Sequence, residues 1–110
     1  MPYYLVQLAY TAEAWANQLK SPQNRIEAVR PAMEKVGGRF ESVYFAFGEY
    51  DIVFVMEAPD NTSAAAFALA VAAGGAVRAY KTTPLMTVEE GLEAIRAAGD
   101  VAAAYRPPAG

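Results

Sequence analysis

The sequence predicts one α+β domain: an antiparallel sheet of four strands in the order β-α-β-β-α-β, with its helices on one face. Three observations lead there. The runs Tyr3 to Tyr10 and Tyr50 to Ala58 are apolar at nearly every position, as expected of central strands. Two helical stretches stand between strand-like segments, and each closes on a glycine pair, Gly37-Gly38 and Gly74-Gly75. The length of 110 residues suits a single domain.

Strand one is Tyr3 to Tyr10. Thr11 is placed to cap a short helix that carries Trp15 and Leu19, and Ser21 with Pro22 reads as a second N-terminus, Pro costing nothing at a first helical position. Ile26, Val29, Met33 and Val36 then form one apolar stripe, with a kink expected at Pro31 inside it. Arg39 to Phe47 and Tyr50 to Ala58 read as a hairpin turning at Gly48 and Glu49. An Ala-dominated helix spans Asn61 to Ala73, and Val77 to Thr83 is a last strand stopped by Pro84. Thr87 and Glu90 make a capping box for a third helix with Leu92 and Ile95, ended by Gly99. The domain is thus set at residues 1–98, with residues 99–110 an unstructured, flexible tail.

Right-handed crossovers in both β-α-β halves give a ferredoxin-like sheet with strands one and three in the middle. Both central strands carry apolar side chains on both faces, Tyr4, Val6 and Leu8 against Tyr3, Leu5 and Ala9, and Ile52, Phe54 and Met56 against Val53 and Val55, so the face that helices leave open is apolar whichever set it carries. A second copy packed sheet to sheet would cover it, which predicts a homodimer or higher homo-oligomer. Of the 110 residues 24 are Ala, so large core side chains are few and help from a partner is expected.

Composition excludes more than it assigns. There is no Cys and no His, so thiolate chemistry, Fe–S and thiolate-zinc sites, and the commonest general base are all missing. Net charge is -3 with no basic cluster, which argues against nucleic acid and anionic membranes as partners. Neither a membrane-spanning run nor a signal peptide is read, and the expected location is cytoplasmic. Glu49, Asp51 and Glu57 have no metal-site spacing, and the glycine pairs end helices where a phosphate loop would begin one, so neither a metal nor a cofactor is expected.

The segment Gly48, Glu49, Tyr50, Asp51, continuing as GEYDIVFVMEAPD, resembles the signature of the GYD-domain family. YLVQLAYTAEAW, SPQNR, VGGRFESVYFAFG and GAVRAYKTTPLMTVEE resemble the same family's pattern in the same order, over roughly residues 3–98. The resemblance implies a dimeric α+β barrel and brings no common activity. Related dimeric barrels include cofactor-free monooxygenases, isomerases, haem enzymes and plain ligand binders, so a function drawn from the barrel is analogy.

Candidate chemistry gathers at that segment. Asp51 reads either as a turn residue accepting from backbone amides, or as a general base at the mouth of a site, with Tyr50 or Tyr44 donating to a developing oxyanion. Gln7, the one polar residue in strand one between Tyr4 and Ala9, reads either as a satisfied buried amide or as a ligand-orienting group. Ser42 alternates with Tyr44 on the neighbouring arm. Arg25, Arg30, Arg78 and Lys81 are the cations placed to meet an anion, and solvated faces also account for them. Catalytic candidates are therefore Asp51, Tyr44 and Tyr50, and ligand-binding candidates are Gln7, Ser42 and Arg78.

Three functions remain open. The favoured one is a small dimeric module that binds an apolar or aromatic metabolite in a tyrosine-rich cavity. The second is a cofactor-independent enzyme of monooxygenase or isomerase type, using Asp51 and tyrosine hydroxyls. The third is a purely structural oligomerisation module.

Overall fold

A computed structural model describes residues 1–109, in the order β1 (Tyr3–Tyr10), α1 (Ala12–Lys20), α2 (Arg25–Lys35), β2 (Arg39–Phe45), β3 (Ile52–Glu57), α3 (Asn61–Ala73), β4 (Val77–Leu85) and α4 (Val88–Ala104). The strands form one antiparallel sheet in the order β2-β3-β1-β4, so β1 and β3 are central as the ferredoxin-like reading requires. Alternation along the central strands sets the two faces. Tyr4, Val6 and Leu8 of β1 and Ile52, Phe54 and Met56 of β3 are buried beneath the helices, while Leu5, Gln7, Val53 and Val55 are half-buried on the open face. Met33 of α2 and Ala64 and Phe67 of α3 complete the core. Phe67 meets Phe54 and Phe40 edge to face, at ring separations of 6.4 and 6.3 Å.

The caps explain several boundaries. Thr11, Asp60 and Thr87 each accept a backbone N–H in the first turn of the helix that follows, and Glu90 closes the capping box with Thr87. Other expectations are corrected. Helix α2 opens at Arg25, not after Ser21 and Pro22, because Asn24 Oδ1 accepts from the amides of both Ile26 and Glu27. It runs unbroken through Pro31 to Lys35, in keeping with the apolar stripe that continues past that proline. The hairpin connection covers residues 46–51, longer than a turn at Gly48 and Glu49, and is pinned by hydrogen bonds from Ala46 N to Asp51 O and from Asp51 N to Leu8 O. Strand β4 passes through Pro84 to Leu85, tolerable on an edge strand with one side free of ladder bonds. Helix α4 passes through Gly99 to Ala104, so the boundary at residue 98 falls inside a helix; of the expected tail, Gly110 lies outside the described residues.

Two register shifts matter for the site. Between Phe40 and Ser42 the extra residue Glu41 changes the parity of β2, turning Val43 and Phe45 to the helix side and Ser42 and Tyr44 to the open face. Between β1 and β4 the extra residue is Arg78. Gly37 closes α2 at φ +76°, and Gly38 after it admits the strand: a Cβ there would lie 2.7 Å from the Glu57 carbonyl oxygen.

Tyr80 of β4 packs against the core with its hydroxyl buried and without a hydrogen-bond partner among the described residues. Replacing it with phenylalanine should therefore raise stability by about 1 kcal/mol, because an unpaired buried hydroxyl carries a desolvation cost. Burial also pushes its pKa well above the ordinary 10.0, so the folded chain retains a proton that the unfolded chain releases. Stability from this group is full below about pH 10 and falls as pH rises further, and Tyr80→Phe should flatten that fall. Denaturant midpoints at neutral and alkaline pH check both effects; a variant less stable than the parent at neutral pH would contradict the first.

Candidate functional site

Three places gather polar chemistry. The first is a cleft between α2 and α3 whose floor is the helix side of the sheet. Its volume is about 240 Å³, and its walls include Ile26 and Val29 of α2, Phe67 and Val71 of α3, and Leu8 and Phe54 of the sheet. Arg25 and Tyr10 also line it. The same two residues and Ala76 line a smaller polar hollow of about 160 Å³ with Asn17, Gln18 and Gln23. The apolar cleft thus adjoins a polar vestibule, and the Arg25 guanidinium stands where they share a wall, donating to Gln23 Oε1 at 3.4 Å. Burial raises the Tyr10 pKa, and Arg25 beside the hydroxyl opposes that shift. Tyr10 therefore stays a neutral donor at physiological pH.

The second place is a knot at the end of the sheet. Asp51 Oδ2 accepts from the Tyr10 backbone N–H at 2.9 Å and from Trp15 Nε1 at 3.2 Å. The Trp15 ring stands edge-on to Tyr10, with centroids 5.3 Å apart. One carboxylate thereby ties the hairpin connection to β1 and α1. Arg78, the bulged residue of β4, donates to the Glu49 carbonyl at 3.3 Å and ties the connection from the other side. Tyr50 is half-buried within the connection.

The third is the open face. Register places Lys81, Gln7, Val53 and Tyr44 in one row across all four strands, and Thr83, Leu5, Val55 and Ser42 in the next. Gln7, Ser42 and Tyr44 are thus brought onto one surface. Beyond these rows Arg39 pairs with Glu57 and, at 3.0 Å, with Glu41. The Tyr3 hydroxyl and then the Arg39 guanidinium hold the Glu57 carboxyl below the usual range.

The predicted residues accordingly divide. Gln7, Ser42 and Tyr44 share the open face, Asp51 and Arg78 hold the hairpin connection, and neither group meets the cleft. Arg25 is the one cation of the sequence reading that reaches the cleft. Tyr10, Ile26 and Phe67 could be read from sequence only as strand or helix residues, because the gap between two helices is a matter of packing. Trp15 did carry a signal, since an indole N–H beside a core requires an acceptor. Among the described residues no group of three or more Asp or Glu is placed to hold a metal ion. No helix among them is long and apolar enough to cross a membrane.

Comparison with solved structures returns the same fold. MtbAldR superposes with a TM-score of 0.60 at 19% identity, over 78% of this chain and 52% of that one. FFRP-DM1 superposes with a TM-score of 0.50 at 14% identity, over 78% of this chain and 100% of that one. This chain spans about half the length of MtbAldR, and likenesses at these identities speak for the fold alone. No curated protein matches. The GYD domain, in contrast, matches residues 4–95, nearly the whole described chain, and on that match this protein belongs to the GYD-domain family.

Proposed function

We propose that this chain is a binding module that takes a small aromatic or branched aliphatic molecule with an anionic head. The observation that carries the reading is the apolar cleft joined to a polar vestibule, with Arg25 at the shared wall. A volume of about 240 Å³ suits a single ring or a short branched chain. The Arg25 guanidinium offers a fork of donors to a carboxylate, and the Tyr10 hydroxyl offers one more. Catalysis gains less support, because Asp51 already accepts two hydrogen bonds that hold the fold together. Self-association through the open face belongs to the same proposal, on the strength of half-buried Leu5, Val53 and Val55 at its centre.

Phenylacetate and the uncharged phenylacetamide test the reading by thermal shift. Phenylacetate should raise the melting point of the parent; a concentration 100-fold over Kd corresponds to about 2.7 kcal/mol. Phenylacetamide should bind at least tenfold more weakly. Arg25→Gln should bring the two ligands together, and Val71→Trp, which fills the cleft, should abolish both shifts. Equal response of parent and Val71→Trp would remove the cleft as the site. No shift in the parent with either compound would remove this ligand class.

A further inference from the structure

Among the described residues helix α4 buries no side chain: every position from Val88 to Ala104 is exposed except the half-buried Gly91. It leaves β4 after only Met86 and Thr87, its direction fixed by the Thr87–Glu90 capping box, with 2.9 and 3.1 Å bonds. The molecule is elongated as a result, with a radius of gyration of 18.0 Å where a compact chain of this length has roughly 13 Å. Yet α4 is strongly two-sided. Val88, Leu92, Ile95, Ala98 and Ala102 fall along one side, while Glu89, Glu93, Arg96 and Asp100 fall on the other. Val88 is 80% exposed and Ile95 is 69% exposed. A helix of 17 residues with such a stripe is built to cover something.

A second uncovered surface lies on the same chain. Helix α3 carries no charged residue and, past its polar first turn of Asn61, Thr62 and Ser63, is apolar on all sides, a composition usual for a helix enclosed by protein. Its outer flank and the edge strand β4 form an apolar hollow of about 400 Å³, lined by Tyr4, Ala64, Ala65, Ala68, Leu69 and Pro84 among others. The Tyr4 hydroxyl there already donates to Asn61 Oδ1 at 2.6 Å, and Leu69 stands 70% exposed.

We infer that α4 of one copy docks by its Leu92–Ile95 side into the α3–β4 hollow of a second copy, and that the second copy returns its own α4 in exchange. Each chain offers one arm and one seat, so a two-fold pair closes and leaves neither surface exposed. Charge agrees: α3 presents no charge to repel the arm, and the acidic side of α4 stays in water. Size agrees as well. A strip about 26 Å long and about 10 Å wide, buried on arm and seat in both copies, amounts to roughly 1,000 Å², the threshold for a specific interface. The inference is independent of the ligand cleft and of pairing through the open sheet face.

Cysteine crosslinking tests it in a chain that has no cysteine of its own. Leu69→Cys is combined in turn with Leu92→Cys, Ile95→Cys and Ala98→Cys in the full chain and mildly oxidised. At least one pair should yield chains joined in twos. An equimolar mixture of the single variants Leu69→Cys and Ile95→Cys, or its neighbours, should yield mostly mixed dimers. Disulfides closing within one chain, or none in any of the three pairs, would overturn the inference. The full chain carrying Leu92→Glu and Ile95→Glu gives an independent readout. Its circular dichroism should match the parent, because both positions face solvent in the single chain, while its dimer constant in sedimentation should weaken at least tenfold. An unchanged constant would show that the arms add nothing, including the case in which the open sheet face alone joins the copies.

Discussion

Phe67→Ala should cost about 3–5 kcal/mol, the range for deleting a buried aromatic side chain. Phe67 is 2% exposed and stands at the centre of an aromatic group in which Phe40 and Phe54 also meet, with ring centroids 5.0 Å apart. Removing it deletes two edge-to-face contacts in addition to the burial itself, and α3 loses its one large buried side chain. The neighbouring cleft is already empty of side chains, so surrounding groups have little to collapse onto and the lost contacts are not recovered. For a domain of this size each kcal/mol corresponds to roughly 4–8 °C, so the midpoint should fall by more than 10 °C. Phe47→Ala supplies the control. Phe47 is fully exposed in the hairpin connection, and its removal should change stability by less than about 0.5 kcal/mol. Urea denaturation of the two variants reads the difference directly; similar midpoints would mean that Phe67 does not sit in the packed core.

Phe54 and Phe47 together show what sequence can and cannot convey. Phe54 announces its burial through the unbroken apolar run Ile52 to Met56, every member of which is buried or half-buried in the structure. Phe47 follows Phe45 and Ala46 in an equally apolar context, but it belongs to the connection after β2, and nothing local separates the two cases. Caps were legible where a single candidate stood before an apolar stripe, as at Thr11 and Thr87. They were ambiguous where Ser21 and Asn24 competed, because both are good N-caps and the outcome depends on where the chain can turn. Gly99 and Pro84 misled for a shared reason. Glycine in a solvent-exposed helix costs only about 1 kcal/mol, and an edge strand needs no amide from its proline on the free side, so neither residue stops its element. The site was less legible than the fold. The bulge at Glu41 decides which face carries Tyr44 and Ser42, and a one-residue shift of this kind leaves no mark in the hydrophobic pattern. The cleft is a property of the spacing between α2 and α3, whose lining residues lie far apart in sequence, from Ala32 at the nearest to Phe67, and no local pattern encodes it.

Asp51→Ala should cost about 2–4 kcal/mol, because it strands two donors at once: the backbone N–H of buried Tyr10 and the indole N–H of Trp15. Asp51→Asn should cost only about 1 kcal/mol, since an amide oxygen in the same place can still accept from both. Trp15→Phe removes one donor and keeps most of the ring packed on Tyr10. Combined with Asp51→Ala, it should cost less than the two changes separately, because the alanine has already abolished the bond that the indole makes. Trp15 is the single tryptophan, so its fluorescence follows the knot locally while circular dichroism follows the whole domain. In Asp51→Ala the emission should shift to the red before the global transition, as the connection loosens ahead of the sheet. A general base in a cavity would behave in the opposite way. Removing its charge would relieve a burial cost, so Asp51→Asn would be as stable as the parent or more so and would lose any turnover that needs a base. Ordered losses, with alanine well below asparagine and asparagine just below the parent, identify the carboxylate as the tie that closes the hairpin connection onto β1. An asparagine variant more stable than the parent would return Asp51 to the centre of a catalytic site.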